Sequence, residues 1–158
     1  RLRTGGALPQ DDLKLEETGG RAYGIMMHEL LSRITTTEDI EEAVDHACAT
    51  GMLPLTRRDE ITGRLRHMLS SEQVRNWFNG SRTVMTEASI ILPTGAARRP
   101  DRIMISSDEV TVVDYKFGEE SSRHRQQAAS YRDLLTQMGY ANVRSYLWYV
   151  MKETIEEA

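Results

Sequence analysis

Arg99-Pro100-Asp101-Arg102-Ile103, followed after a turn by Val112-Val113-Asp114-Tyr115-Lys116-Phe117-Gly118, is the stretch whose reading decides the fold. An acid stands at 101, a second acid follows thirteen residues later at 114, and a lysine stands two positions beyond that. Its second half reads as a strand, and residues i and i+2 of a strand project from the same face. Asp114 and Lys116 therefore point together, and Tyr115 points away. The hairpin between the two acids folds Asp101 back beside Asp114. Asp114 interrupts an otherwise apolar strand, where a charge without a partner is costly. Two carboxylates and an ammonium converging at strand ends call for something that uses them. A hard cation such as Mg²⁺ would engage the carboxylates, and a water bound to that cation near the ammonium would be a nucleophile.

Outward from this stretch, the chain changes character halfway. Thr83 to Leu92 is rich in β-branched residues and reads as a strand ended by the turn Pro93-Thr94-Gly95. Arg98 to Ile105 is a second strand, Ser106 to Glu109 a turn, and Val110 to Lys116 a third strand. Ser121 or Ser122 opens a helix to about Met138, stopped by Gly139, and Val143 to Val150 is a fourth strand. The first half is helical. Ala22 to Ile34 carries Ile25, Leu30, Leu31 and Ile34 near one stripe. Thr36 or Thr37 caps a helix over 38–50, which Gly51 terminates. Thr56 and Asp59 suggest a capping box for a helix to about Leu69, and Ser71 starts a short one through Phe78. The fold class expected is α/β: a mixed central sheet of about four strands flanked by helices, with a helical N-terminal half. Residues 1–20, with their paired glycines and mixed charges, read as a linker or flexible arm, 21–152 as one domain and 153–158 as a tail.

A chain of 158 residues with 39% hydrophobic content is long and apolar enough for one real core. Its formal net charge of −4 argues against a stand-alone, electrostatically driven nucleic-acid binder, though not against a local basic patch. The single cysteine, Cys48, excludes an intrachain disulfide and any cysteine-rich zinc or iron–sulfur site. No apolar run approaches membrane-spanning length and no signal peptide is visible, so no membrane association and an intracellular location are expected. The chain starts at Arg1 and not at Met, which suggests a fragment of something longer.

The β-β-β-α-β order with Pro100-Asp101 and Asp114-Tyr115-Lys116 at its second and third strands resembles the PD-(D/E)XK nucleases. Asp-x-Lys alone is common, but three further elements narrow the resemblance. Gly24-Ile25-Met26-Met27-His28-Glu29-Leu30-Leu31 is similar to the Gly-x3-His-x2-Leu element upstream of the RecB-type nuclease core. Gln127-Ala128-Ala129-Ser130-Tyr131 is similar to the downstream Gln-x3-Tyr element, and Tyr140 to Val150 to the closing strand. Over roughly residues 20–152 the chain thus resembles the C-terminal nuclease domain of a RecB- or AddA-like helicase–nuclease. That resemblance implies Mg²⁺ or Mn²⁺, DNA as substrate, and phosphodiester hydrolysis leaving 5′-phosphate and 3′-hydroxyl ends. It further implies exonuclease action in double-strand-break repair and recombination. The expected partners are a single DNA strand and a helicase motor, upstream on the same polypeptide, in the bacterial cytoplasm. One position departs from the pattern: His124 stands where many relatives carry a tyrosine, which we read as a changed DNA contact.

On this reading Asp101 and Asp114 are metal ligands, with His28 as a further ligand and Glu87 as a possible one. Lys116 orients the attacking water and stabilises charge in the transition state, while Gln127 and Tyr131 position the scissile phosphate or a nearby base. Arg98, Arg99, Arg102, Arg123, His124 and Arg125 form a basic collar in sequence that could hold phosphates. Blander readings stand beside these: Glu87 as a solvated strand glutamate, His28 as a structural histidine, the collar as a solvated face. At the level of the whole chain, the alternatives are a non-catalytic DNA-binding or interaction domain that kept the fold, and a stand-alone endonuclease.

Overall fold

The computed structural model describes residues 20–158, so all but the last residue of the expected N-terminal arm lies outside the described residues. The described residues divide into two compact units, the first ending at Phe78 and the second spanning Asn79–Ala158.

Among its described residues the first unit holds four α-helices: α1 (Arg21–Ser32), α2 (Ile40–Ala49), α3 (Arg58–Met68) and α4 (Glu72–Trp77). On α1 the buried side chains are Tyr23, Met26, Met27, Leu30 and Leu31, spaced three and four apart as one helical face requires. Ile25, expected on that stripe, is 40% exposed, because the 3.6-residue period rotates it off the face that Met26 and Met27 fill. Thr36 does form a capping box: its hydroxyl accepts from Glu38 N–H, and the Asp39 carboxylate accepts from Thr36 N–H at 3.1 Å. The box opens a 3-10 turn, Thr37–Asp39, which feeds α2. Gly51 follows α2 with φ +83, the left-handed conformation that glycine adopts without penalty. The Thr56–Asp59 box does not form. α3 begins at Arg58 with no side-chain cap, and the Asp59 carboxylate bonds Arg58 at 3.1 Å instead.

The second unit holds β1 (Thr83–Thr86), β2 (Ile90–Ile91), β3 (Ala97–Arg98), β4 (Arg102–Ile105), β5 (Val110–Lys116), α5 (Ser122–Gln137), β6 (Val143–Tyr149) and β7 (Thr154–Glu157). Its main sheet runs β1-β4-β5-β6-β7, and β2–β3 is a separate small hairpin. All pairs are antiparallel except β5–β6, which is parallel and joined through α5. Three sequence expectations are corrected here. The strand read over Thr83–Leu92 breaks at Glu87, a non-glycine residue at φ 60 that cannot continue a strand. The strand read over Arg98–Ile105 breaks at Arg99-Pro100-Asp101, where proline offers no N–H to a ladder. The tail supplies a fifth strand, β7, with Glu156 opposite Leu147 of β6.

β5 is buried along Val110–Tyr115, the continuous burial of a strand covered on both faces. On one face Ile103 and Val112 pack against Tyr131 and Leu135 of α5, and Leu147 and Tyr149 pack against Ala128. On the other face lie Arg102, Tyr115 and Trp148, the two rings meeting edge to face at 5.6 Å. Arg102 is 0% exposed, which removes it from the expected basic collar. Alternation along β4 places it with Met104, opposite Asp101 and Ile103. Burial pulls its pKa down, and the neighbouring Tyr115 pulls the other way. Burial also pushes the Tyr115 phenol up, so it stays neutral.

Breaking this pair should be destabilising. Arg102→Ala is expected to cost about 3 kcal/mol in denaturant unfolding, since it leaves a cavity where a fully buried side chain stood. The double variant Arg102→Met/Tyr115→Phe keeps the volume and removes both polar groups, so it should stay close to wild type. Equal losses in the two proteins would show that the polar groups, and not the volume, carry the stability here.

Candidate active site

The antiparallel register of β4 and β5 sets Arg102 opposite Val113, so the residues just beyond, Asp101 and Asp114, come face to face. Two reciprocal hydrogen bonds fix them. The Asp101 backbone N–H donates to Asp114 Oδ1 at 3.0 Å, and the Tyr115 backbone N–H donates to Asp101 Oδ2 at 2.8 Å. Each carboxylate is thus oriented by a main-chain amide of the other strand. Asp114 is buried, its side chain only 6% exposed, with the Lys116 ammonium 3.8 Å from its Oδ2. Lys116 Nζ also donates to Gln127 Oε1 at 3.1 Å. Two carboxylates and one ammonium leave this cluster formally at −1.

α5 carries the other side chains that reach the cluster. Ser121 caps it, accepting from Arg123 N–H at 3.2 Å. Gln127 and Tyr131 are one turn apart on one face. Burial first, then the charges of Asp114 and Asp101, raise the pKa of the Tyr131 hydroxyl, while Arg98 acts against them. Tyr131 therefore stays protonated and can donate. His124, one turn before Gln127, approaches the Tyr149 hydroxyl with Nδ1 at 3.2 Å. Burial, then Lys116 and Arg123, lower its pKa, so the ring is neutral at pH 7.

The other expected residues lie differently. The Glu87 carboxylate accepts from Arg99 Nη2 at 3.1 Å, and its carbonyl accepts from Arg99 Nε at 3.1 Å. Among the described residues, no three His, Cys, Asp or Glu side chains converge as a ready cation cage. His28 belongs to α1 of the first unit, where Nδ1–H donates to the Gly24 carbonyl at 2.9 Å. Nε2 then carries the lone pair of the neutral ring, the arrangement common to metal-binding histidines. Within the collar, Arg99 faces Glu87 and Arg125 bonds Glu156. The sequence reading missed the Arg102–Tyr115 pair, although period-two alternation in Arg102-Ile103-Met104 carried that signal. It also missed the His124–Tyr149 contact, for which no local signal exists because the two residues are 25 apart.

The donor set fits a hard divalent ion. Mg²⁺ is commonly held by one or two carboxylates, its remaining positions filled by water and substrate phosphate. Asp101 and Asp114 supply such a pair, prealigned and carrying a net negative charge.

A five-stranded mixed sheet with one helix-linked parallel pair, and two acids and a lysine at the end of β4–β5, is a restriction-endonuclease-like fold. The family model of the PD-(D/E)XK nuclease superfamily matches residues 1–158, and the chain belongs to that superfamily. No curated protein matches it. Membership implies a nuclease that binds DNA, in a superfamily that generally uses divalent metals. Among the described residues, no helix is long and apolar enough to cross a membrane.

Proposed function

We propose that this chain is a Mg²⁺- or Mn²⁺-dependent deoxyribonuclease, the RecB/AddA-like nuclease domain of a helicase–exonuclease of double-strand-break repair and recombination. The reciprocal amide lock of Asp101 and Asp114, with Lys116 3.8 Å from Asp114, is the observation that carries the catalytic part. The helicase context is supported by the Gly24…His28…Leu31 and Gln127…Tyr131 elements of the sequence. We propose His28 as a further ligand. Glu87 could serve only by giving up Arg99.

Asp101 and Asp114 would hold a divalent cation, which would supply Lewis-acid polarisation of the phosphoryl oxygen and lower the pKa of a water. Lys116, steadied by Gln127, holds the attacking water and donates where negative charge develops during in-line displacement. Tyr131, kept neutral by burial and the two acids, donates to a phosphate oxygen. The product ends are a 5′-phosphate and a 3′-hydroxyl. The motor, on the same polypeptide in the bacterial cytoplasm, feeds the site a single strand.

The test is a cleavage time course on matched single- and double-stranded oligonucleotides across a salt series with Mg²⁺ or Mn²⁺. Slow cutting of the single strand at low salt, slower cutting of duplex, and arrest of both by EDTA are expected. Fast, salt-insensitive cutting of blunt duplex would replace this reading with a stand-alone endonuclease. No cutting of either substrate by the folded protein would leave a non-catalytic DNA-binding domain.

A further inference from the structure

Basic residues crowd around the two acids in sequence, but most of that charge is already engaged. Arg102 is fully buried on the opposite face of the sheet. Arg99 faces Glu87 at 3.1 Å, and Arg125 bonds Glu156. Farther out, Arg82, Arg132, Arg144 and Lys152 each meet a carboxylate within 3.4 Å. A carboxylate beside a guanidinium repels the phosphate that the guanidinium attracts, so such pairs add little field. Among the described residues of the second unit, only Arg98 and Arg123 are exposed arginines with no carboxylate within 4.0 Å. Arg98 meets only a neighbouring main-chain oxygen, Ala97 O, at 3.2 Å.

These two cations bracket the site. Arg123 stands on α5 four residues before Gln127, on the same helical face. Arg98, at the end of β3, stands opposite Ile90 of β2, and Ile90 shares one buried cluster with Tyr131, four residues after Gln127. From 123 to 131 the helix rises about 12 Å at about 1.5 Å per residue. Along one strand of duplex DNA a charge recurs about every 3.4 Å, so roughly three to four phosphates match that length.

We propose that Arg98 and Arg123 grip the backbone phosphates on either side of the scissile one, so that the strand lies along α5 from Arg123 past Lys116 to Arg98. This rests on the nuclease reading above for which phosphate is cut, but the grip itself is a binding property. It gives an acidic chain a hold on a polyanion through two uncommitted cations of the second unit, one a helical turn before Gln127 and the other on the hairpin that packs against Tyr131.

The experiment measures binding of a fluorescent single-stranded oligonucleotide in EDTA across a salt series, for wild type and for Arg98→Ala, Arg123→Ala, Arg99→Ala and Arg125→Ala. Steady-state cleavage with Mg²⁺ is followed in parallel. All four substitutions change the formal charge equally, so only a local contact separates them. Arg98→Ala and Arg123→Ala should each flatten the log–log salt slope by about 0.7, and the double variant by about 1.4. They should raise KM while keeping kcat within about twofold. Arg99→Ala and Arg125→Ala should leave the slope at the wild-type value. Equal slopes for all four variants, with wild type cleaving, would overturn the grip and leave the nuclease reading standing. The expected slopes in a protein that never cleaves would support the grip and overturn the nuclease reading.

Discussion

Asp114→Asn is expected to lower DNA cleavage by roughly three orders of magnitude or more, about 4 kcal/mol in the barrier, with the fold intact. The amide oxygen of asparagine can still accept the Asp101 N–H that Asp114 Oδ1 accepts at 3.0 Å, so the β4–β5 end keeps its geometry. The negative charge that would hold a cation is gone. Without metal, stability should be unchanged or slightly raised. The variant loses the attraction to Lys116 at 3.8 Å but also the repulsion from Asp101. Thermal melts then separate ligand loss from misfolding. Mn²⁺ should raise the wild-type midpoint, as any ligand of the native state does, and should not move the variant's. Asp101→Asn should behave alike, since its amide oxygen can keep the bond from Tyr115 N–H. Substantial cleavage by purified Asp114→Asn protein would sink the metal-acid assignment.

Lys116→Ala should cut turnover by about 100- to 1000-fold, the usual scale for removing a charge-stabilising donor. Metal affinity should hold or tighten, because the ammonium beside Asp114 competes with a cation for the same carboxylate. Calorimetric Mn²⁺ titration beside single-turnover cleavage checks both halves. A group that acts in the transition state shows in the rate and not in ground-state binding. Parallel loss of metal binding and rate would make Lys116 a structural lysine, placed to hold Gln127 and nothing more.

The parts of the fold legible in sequence were those whose signal is local and long. β5, α5 and β6 were read to within a residue or two, since each is an unbroken run with its own cap or turn. The facing of Asp101 and Asp114, and the shared side of Asp114 and Lys116, followed from one hairpin and one period-two strand. What escaped depends on contacts distant in sequence. β7 is Thr154-Ile155-Glu156-Glu157, too polar to announce a strand, and it exists because the edge of β6 offers it a ladder. Its acids are matched by Arg125 and Arg144, neither of them near in sequence. Glu87 gave no warning of its left-handed backbone, for which glycine or asparagine is the usual signal. Arg102 was grouped with its sequence neighbours, whereas strand alternation, applied strictly, sends it to the buried face. Sequence proximity made a collar of six basic residues, and ion pairing and burial in the structure thinned it to two uncommitted arginines and a neutral histidine.

The mutual amide bonds of Asp101 and Asp114 carry a consequence for the life of the chain before it is fully folded. Neither acid can reach its position until the hairpin has closed in its correct alignment. A slip of one residue would turn every side chain of β4 to the wrong side and separate the pair. Assembly of the acid pair and completion of the sheet are therefore a single event. A newly made or damaged copy with a misaligned hairpin lacks the paired acids altogether. That coupling is written into two hydrogen bonds of 3.0 and 2.8 Å.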